Sequence, residues 1–550
     1  MKKYLEPRMN AVLKSLKYSD GTKLTFEKPK LETHGDLTTN IALLLSKSAG
    51  KNPRAIAQEI VSSLALDPAD VSRVEVAGPG FINFQFSDRF FTKQVGTILQ
   101  DRESYGKSTI GNKKKTQVEF VSANPTGPLS VGHGRQAAIG DTIANLLEWT
   151  GHDVTREYYY NNAGRQMRML AESTYARYRQ LFDPSFPFPE DGYQGDYIRE
   201  IAENLKKEQG TGLSGLEKEQ ALSVCKTFAE EALFQSIKNV LKRMGVTFDV
   251  FFNEDSLYTT GKIKDIIEEF RKKDLAYNKE GAVWLKTSAL GLEQDRVIVK
   301  STGEPTYRLP DMAYHREKFR RGFDLIVDIF GADHISTIQE VLAGIQALGY
   351  DTEKVKVVIH QFVTLMRDGQ QVKMSKRLAN FVTLDELIDE VGPDVARFFF
   401  VMRATSSHLE FDINLAKEQS EKNPVYYLQY AHARIASILR FAESQDEADL
   451  GKNVEKVNFG LLKELSEVAL AKLLLEFPDW VESTCFAYEP HRLTTYLQNV
   501  AAAFHRFYHE SRVVIPEKDL SRARLSLCLA TKTVLANGFK ILGISAPEQM

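Results

Sequence analysis

The chain has 550 residues, of which 43 % are hydrophobic and 26 % are charged, and its formal net charge is −2. This composition is typical of a globular protein and excludes a fibrous repeat or a largely disordered chain, while the length predicts three or four domains at roughly 100–200 residues each. No stretch approaches the ~18 uninterrupted apolar residues of a membrane span, and the near-neutral total charge does not by itself favour nucleic-acid binding.

Residues 1–110 are predicted to form a small α+β domain. Apolar periodicity predicts helices over residues 1–16, 37–49 and 53–64. Two strands joined by a turn are predicted over residues 74–84. The charged N-terminus lacks the apolar segment of a signal peptide. The cysteines are few and lack the spacing of metal ligands, so neither zinc nor disulfides are expected, and a cytoplasmic protein is predicted.

Residues 111–420 are predicted to form an α/β domain with a doubly wound, Rossmann-like parallel sheet. A strand, a glycine-bearing turn, a helix and a second strand follow one another over residues 117–160, as in a βαβ unit. The alternation then breaks, and about 168–290 is predicted to be a mostly helical insertion that ends in extended pieces at 246–252 and 282–285. The sheet resumes with strands at 324–330 and 356–359.

Residues 421–550 are predicted to form an all-α C-terminal bundle. Its aromatic and basic side chains suit unstacked nucleic-acid bases, since aromatic faces and guanidinium planes stack on them. The candidates for such contacts are Phe504, Tyr508, Arg512 and Arg524. The aromatic residues have helical spacing, however, so a role in the helical core fits them equally well.

A turn-rich segment after the first strand of the α/β domain is the first candidate for chemistry. Ligands of open α/β sheets bind at the carboxyl ends of strands beside helix N-termini, where free N–H groups favour anions. Gly132 would allow a nucleotide to approach the backbone, and His133 could donate to a phosphate, although an ordinary turn histidine remains possible. The segment comprises Ala123, Asn124, Pro125, Thr126, Gly127, Pro128, Leu129, Ser130, Val131, Gly132 and His133.

A basic loop is the second candidate, and it precedes a helix that begins with the capping box formed by Thr383 and Glu386. Two lysines on such a loop could neutralise a triphosphate as charge moves to the departing pyrophosphate. Alone, the loop would fit a solvated basic turn better than a catalytic loop. Its residues are Lys373, Met374, Ser375, Lys376 and Arg377.

Together these segments resemble the two signatures of the class I aminoacyl-tRNA synthetases. Ser130–His133 is similar to the His-Ile-Gly-His signature, and Lys373–Arg377 is similar to the Lys-Met-Ser-Lys-Ser signature. The wider sequence resembles the arginyl-tRNA synthetase family over nearly the whole chain. The stretches that carry this resemblance are 74–84, 123–135, 158–166, 293–297, 306–315, 331–334, 372–377 and 423–434.

The resemblance implies an arginine–tRNA ligase that forms arginyl-adenylate from arginine and ATP and then charges tRNA. His133, Lys373 and Lys376 would be catalytic, and both signature segments would bind ATP. A guanidinium requires carboxylates and in-plane acceptors, so Tyr307, Asp311 and Asp333 would bind the guanidinium of arginine. Ser122 and Asn124 would hold the α-amino and carboxylate groups of the same substrate. Taken alone, Asp311 could be a helix cap and Asp333 a strand-end turn residue.

The resemblance also implies partners. ATP would enter with Mg²⁺, and no tightly bound protein metal is expected. Domain 1–110 would contact the tRNA elbow, domain 421–550 would bind the anticodon, and the chain would be a monomer without a membrane.

Three positions depart from the family pattern. Ser130 replaces the first histidine of its signature, and a serine is shorter and cannot be cationic. Arg377 replaces a serine and keeps positive charge, and Asn161-Asn162 stands where an Asn-Asp pair is usual. Two alternatives therefore stay open: an adenylate-forming nucleotidyl transferase that acts on a small acid without tRNA, and a tRNA-binding protein that has lost catalysis.

Overall fold

A computed structural model describes residues 1–18, 21–29, 31–372, 382–445 and 454–550. The predicted lysine loop, Lys373–Arg377, therefore lies outside the described residues.

The N-terminal region combines helices with a three-stranded antiparallel sheet of order β1-β3-β2. Its elements are α1 (Lys2–Ser15), β1 (Leu37–Thr39), α2 (Ile41–Ala49), α3 (Pro53–Ser63), β2 (Val71–Ala77), β3 (Phe81–Phe86) and α4 (Asp88–Asp101). The single helix predicted over 37–49 is wrong at its start, because 37–39 pairs with β3 instead. The β-branched Thr38 and Thr39 favour an extended chain there.

The middle of the chain alternates strands and helices, as predicted. In chain order it contains β4 (Lys115–Glu119), α5 (Val131–Trp149), β5 (Asp153–Tyr160), α6 (Gly164–Gln180), α7 (Asp196–Gln209), α8 (Lys218–Arg243), β6 (Val250–Asn253), α9 (Asp255–Thr259), α10 (Lys262–Lys272), β7 (Ala276–Lys279), β8 (Ala282–Leu285), β9 (Arg296–Val299), α11 (Arg308–Arg320), β10 (Leu325–Gly331), α12 (Ile335–Ala347) and β11 (Val355–His360).

Five of these strands form a parallel sheet of order β11-β10-β4-β5-β6, which confirms the doubly wound α/β prediction. The chain moves from β4 to β5 and β6 on one side and then returns to β10 and β11 on the other. The strand order therefore reverses between β4 and β10, and the carboxyl ends of those two strands border the crevice where such sheets bind ligands.

Strand β6 corrects one sequence expectation. The extended piece at 246–252 was predicted to belong to the end of the helical insertion, but Val250–Asn253 pairs in parallel with β5 as an edge strand of the central sheet. Aromatic packing holds it there, because the ring of Phe251 lies 5.5 Å from that of the fully buried Tyr158. The residue after β6, Glu254, is thereby brought to the ligand-binding edge of the sheet.

The rest of the chain leads from the sheet into the predicted C-terminal helices. Its elements are β12 (Val363–Arg367), β13 (Gln370–Gln371), α13 (Leu384–Val391), α14 (Pro393–Val401), β14 (Leu409–Asp412), α15 (Ile413–Lys417), α16 (Pro424–Ser444), α17 (Leu465–Leu475), α18 (Phe477–Ala487), α19 (His491–Glu510) and α20 (Lys518–Leu542). Helix α20 is long and apolar enough to cross a membrane by length and composition, but 72 % of its most apolar window is buried within the fold, as in a core helix.

Candidate active site

The first turn of α5 lies at the carboxyl edge of the central sheet and carries the predicted nucleotide-binding residues. Ser130 is the N-cap residue, and His133 Nδ1 accepts a hydrogen bond from the backbone N–H of Ser130 at 3.1 Å. An accepting Nδ1 leaves the proton of the neutral imidazole on Nε2, where it can be donated to a ligand. Serine is among the best N-cap residues, so Ser130 has a local structural function that does not need a histidine.

The glycines of α5 are of two kinds: Gly134 and Gly140 are required by packing, and Gly132 is not. A Cβ added to Gly134 would lie 2.5 Å from Leu384 Cδ1, and one added to Gly140 would lie 2.2 Å from Phe120, so the fold itself excludes side chains there. At Gly132, the nearest atom among the described residues is Ser130 Oγ at 3.6 Å. Packing among the described residues therefore does not require Gly132, and the absence of a side chain there suits the close approach of a bound group.

The segment that follows the lysine loop is held beside this turn. Leu384 N–H donates to the carbonyl of Leu129 at 2.8 Å, and Thr383 forms an isolated antiparallel bridge with Ser130. The predicted capping box is confirmed, because Thr383 Oγ1 accepts from the Glu386 N–H and the Glu386 carboxylate accepts from the Thr383 N–H. The described chain therefore resumes at residue 382 beside the first turn of α5.

The end of β4 positions the predicted substrate contacts Ser122 and Asn124. Val121 and Ser122 have φ values of 68° and 43°, a left-handed conformation that non-glycine residues adopt rarely and mostly at functional sites. Ser122 Oγ donates to Glu119 at 2.9 Å, and Asn124 Oδ1 accepts from the Asn161 N–H at 2.9 Å. Both side chains are thus fixed where β4 and β5 end.

Asp311, on the first turn of α11, lies in an acidic environment at the same edge. Its pKa is raised to about 7, first because burial disfavours the charged form and also because Glu254 and Glu119 are near, while His315 and Lys318 act in the opposite direction. An excess of carboxylate oxygen in a partly buried site is costly unless a cation neutralises it. The arrangement therefore favours a cationic ligand.

Glu254 completes this acidic pocket and was not predicted from the sequence. Its carboxylate accepts hydrogen bonds from Tyr159 Oη at 2.6 Å, Asn161 Nδ2 at 2.8 Å and Tyr258 Oη at 3.3 Å. The residue follows β6 directly, so the signal in the sequence is a carboxylate after an aromatic strand. That signal has meaning only once β6 is known to pair in the central sheet.

A buried lysine fixes the third carboxylate. Lys318 Nζ donates to Glu119 at 2.5 Å and to Asp328 at 2.6 Å, and the lysine is fully buried. Asp328 is also bonded to His315 Nε2 at 3.0 Å. Because Lys318 lies between two carboxylates, it orients Glu119 at the strand end and limits the negative charge of the region.

The other two predicted arginine contacts are more exposed. Tyr307 precedes α11 by one residue, lies one helical turn before Asp311 and is 80 % exposed. Asp333 follows β10, and its side chain is 67 % exposed. Asp333 is close enough to His360, the last residue of β11, for its negative charge to raise the pKa of that histidine. Burial has the larger, opposite effect and lowers the pKa of His360 to about 4. Their contact with arginine stays a prediction.

The predicted C-terminal contacts divide into core and surface residues. Phe504 is fully buried, which places it in the helical core and leaves it no surface for a tRNA base. Arg524 pairs at 2.7 Å with the buried Glu467, and its contact with tRNA stays a prediction. Tyr508 and Arg512 instead line a cavity of about 470 Å³, together with Arg434, which lies 5.0 Å above the Tyr508 ring.

Within the described ranges, which omit the lysine loop, no group of three or more His, Cys, Asp or Glu side chains could hold a metal ion.

The chain combines a parallel sheet that has a switch-point crevice with a glycine-histidine turn and an acidic pocket, as expected of a class I aminoacyl-tRNA synthetase. Three family models match the chain: "Arginyl tRNA synthetase N terminal domain" over residues 3–86, "tRNA synthetases class I (R), catalytic domain" over 94–397 and "DALR anticodon binding domain" over 428–550. The chain belongs to the arginyl-tRNA synthetase family.

Similar proteins agree with this family. The chain is 52 % identical to the arginine–tRNA ligase of Desulfotalea psychrophila, over 96 % of the chain and 95 % of the relative. It is 47 % identical to that of Salinibacter ruber over the full length of both. Among solved structures, a putative arginyl-tRNA synthetase from Campylobacter jejuni matches 84 % of this chain and all of its own at 30 % identity and a TM-score of 0.77. The Thermus thermophilus arginyl-tRNA synthetase matches all of both chains at 22 % identity and a TM-score of 0.75, which supports the fold.

Proposed function

We propose that this chain is an arginine–tRNA ligase, which activates L-arginine with ATP and transfers the arginyl group to the 3′-terminal adenosine of tRNA(Arg). The observation that carries the proposal is the acidic pocket formed by Asp311 and Glu254, near the end of β4 and the first turn of α5. A pocket for a cation beside a turn for an anion suits a reaction between arginine and a nucleotide.

The pocket selects a guanidinium by geometry as well as by charge. Glu254 is held by two phenols and one amide, so its oxygens cannot turn freely to follow a flexible ammonium group. A planar guanidinium presents a rigid set of donors that matches fixed carboxylates. Tyr307 and Asp311 are one helical turn apart, and Tyr307 is proposed to cover the guanidinium when arginine binds.

The amino-acid end of the substrate is proposed to lie towards Ser122 and Asn124, with Asp333 across the crevice. ATP is proposed to lie along residues 123–133, with its phosphates over Gly132 and the Nε2–H of His133. It would enter as a magnesium complex whose other ligands are phosphate oxygens and water, because Mg²⁺ needs few protein ligands in such sites. Lys373 and Lys376, with Met374, Ser375 and Arg377, are proposed to close over the phosphates.

The first step is an attack of the arginine carboxylate oxygen on the α-phosphorus of ATP. The new oxygen–phosphorus bond forms as the bond to pyrophosphate breaks, which yields arginyl-adenylate. The terminal adenosine of the tRNA then attacks the activated carbonyl through its 2′-hydroxyl, and AMP leaves. Positioning and charge stabilisation supply the catalysis, since no covalent intermediate with the enzyme is needed.

The C-terminal cavity supports a tRNA-binding role for the helical region. Tyr508 and Arg512 line it, and Arg434 lies over Tyr508, so that an unstacked base could enter between aromatic and guanidinium surfaces. The N-terminal region 1–110 is proposed to contact the tRNA elbow. The protein is proposed to act as a cytoplasmic monomer.

The test is ATP–pyrophosphate exchange, measured with and without tRNA(Arg), for arginine, lysine and citrulline. Arginine should support exchange, and the other two should not, because lysine lacks the fork and citrulline lacks the charge. Exchange without tRNA for a different small acid would support the nucleotidyl transferase alternative. Absence of arginine-dependent exchange, with tRNA still bound, would support a protein that has lost catalysis.

A further inference from the structure

The end of α20 is fixed to the catalytic domain by a buried arginine on α14. Arg397 is 1 % exposed, and three of its nitrogens bind three different elements. Its Nε donates to the carbonyl of Leu542 at 3.0 Å, and its Nη1 donates to the carbonyl of Met244 at 2.7 Å. Its Nη2 donates to the Asp141 carboxylate at 2.5 Å.

These partners explain why an arginine is suited to this position. Leu542 is the last residue of α20 and Met244 caps α8, so the carbonyl ends of two helices, which carry partial negative charge, meet one cation. The next residue after α20 is Gly543, and a Cβ there would lie 2.1 Å from Arg397 Nη2. The guanidinium therefore fills space that only a glycine leaves open.

The same short helix also contacts the first turn of α5. Three residues after Arg397, the ring of Phe400 occupies the space beside Gly134, where an added Cβ would lie 2.9 Å from it. Leu384 of α13 fills the other side at 2.5 Å. Helix α14 therefore joins the end of α20 to the turn that carries Ser130 and His133, over a length of nine residues.

A second contact connects α5 itself to α20. Asn145 Nδ2 donates to the carbonyl of Ile541 at 3.0 Å, and Asp141, one turn earlier on α5, binds Arg397. At 1.5 Å of rise per residue, Asp141 lies about 12 Å along the helix from His133. A displacement of α20 would thus move the first turn of α5 in two ways. It would act directly along the axis of α5, through Asn145, and indirectly through α14.

We propose that Arg397 is a positioning residue for adenylate formation, which transmits the position of the C-terminal helices to the first turn of α5. This inference rests on the proposed function. When tRNA occupies the C-terminal cavity and shifts the helices around α20, Arg397 carries the shift to α14, and Phe400 carries it to the turn that binds the nucleotide. The anticodon end of the tRNA would in this way affect kcat for a reaction that occurs at the other end of the molecule.

The experiment compares Arg397→Lys with Arg156→Lys as a matched control. Lysine keeps the charge at 397 but cannot reach three acceptors in a fork. Arg156 also binds Asp141, and it binds Glu148 and Asn145 of α5. Its hydrogen bonds and ion pairs within the described part of the chain include none to α14 or to the end of α20. Each variant is assayed by ATP–pyrophosphate exchange per active site, with tRNA(Arg) and with the same tRNA carrying an altered anticodon.

The wild type should give a higher kcat with the intact anticodon, and Arg397→Lys should bring that ratio close to one. It should also lower kcat with tRNA(Arg) about tenfold while KM for arginine and ATP stays within about twofold, in line with coupling energies of this kind. Arg156→Lys should keep the wild-type ratio. A wild-type ratio of one, or a ratio unchanged in a folded Arg397→Lys protein, would overturn the proposal.

Phe400→Leu provides a second, independent variant at the other end of α14. It should reduce the anticodon ratio as Arg397→Lys does, so the proposal is still tested if the lysine variant does not fold. An unchanged ratio in Phe400→Leu would also overturn it. Failure of the proposed function is distinct, because the wild type itself would then show no arginine-dependent exchange.

Discussion

The amino-acid pocket and the C-terminal helical region differ in how their polar and aromatic residues are used. At the carboxyl edge of the sheet, Ser122, Asn124 and Asp311 lie where strands or helices begin and end, and they form the proposed arginine site. On the C-terminal helices, the equally suggestive Phe504 is in the core. The comparison teaches that the position of a residue within its element predicts function better than its chemical type.

Replacement of Asp311 should reduce the use of arginine more than any other change considered. Asp311→Ala removes a charge-assisted contact to the guanidinium and should lower kcat/KM for arginine about 10²- to 10³-fold, as for other desolvated charge pairs. The binding of tRNA, measured by filter retention, should not change. Glu304→Ala is the control, because it removes an exposed carboxylate just before α11 and should be neutral. Equal loss of tRNA binding in Asp311→Ala would indicate misfolding instead.

Glu254→Gln sharpens the same comparison with a smaller change. Glutamine keeps the shape and can still accept from Tyr159 or Asn161, but it removes the charge that attracts a cation. KM for arginine should rise about 30-fold, the value of one hydrogen bond to a charged group, with a smaller change in kcat. Steady-state exchange kinetics measure both constants. An unchanged KM would show that Glu254 does not contact the substrate.

In the C-terminal region, Tyr508→Ala should weaken tRNA binding, whereas Phe504→Ala should lower stability. Tyr508 lines the cavity, so its loss should raise KM for tRNA about tenfold, as for a lost stacking contact, without lowering the melting temperature. Phe504 is fully buried, so its loss should cost about 3 kcal/mol of stability or more. Charging kinetics and thermal unfolding of both variants check this pair. A reversed result would return Phe504 to the tRNA surface.

The pH dependence of arginine use should be the smallest of these effects. The pKa of Asp311 is about 7 in the free pocket, and a guanidinium binds its deprotonated form, so binding releases a proton. Affinity is therefore full above pH 7 and is lost as the pH falls, with kcat/KM about fivefold lower at pH 6 than at pH 7. Asp311→Asn should lose this dependence. A profile in the wild type that is flat between pH 6 and 8 would contradict the assignment.

The sequence predicts the architecture well because strands, turns and amphipathic helices leave local patterns. It fails where partners are distant in the chain. Residues 37–39 become a strand only because β3 is there to pair, and Glu254 becomes part of the pocket only because β6 joins β5. Ser130 shows a third case: its departure from the family signature suggested weakened catalysis, while its position as the N-cap of α5 gives it a structural purpose.

The most direct test of the account is a crystal structure of the protein with L-arginine bound. The account predicts guanidinium nitrogens about 3 Å from the carboxylates of Asp311 and Glu254, the usual distance of a charge-assisted hydrogen bond. The amino-acid carboxylate should then lie beside Ser122 and Asn124, where it can reach a nucleotide bound along residues 123–133. Arginine bound with its guanidinium directed away from both carboxylates would contradict the account.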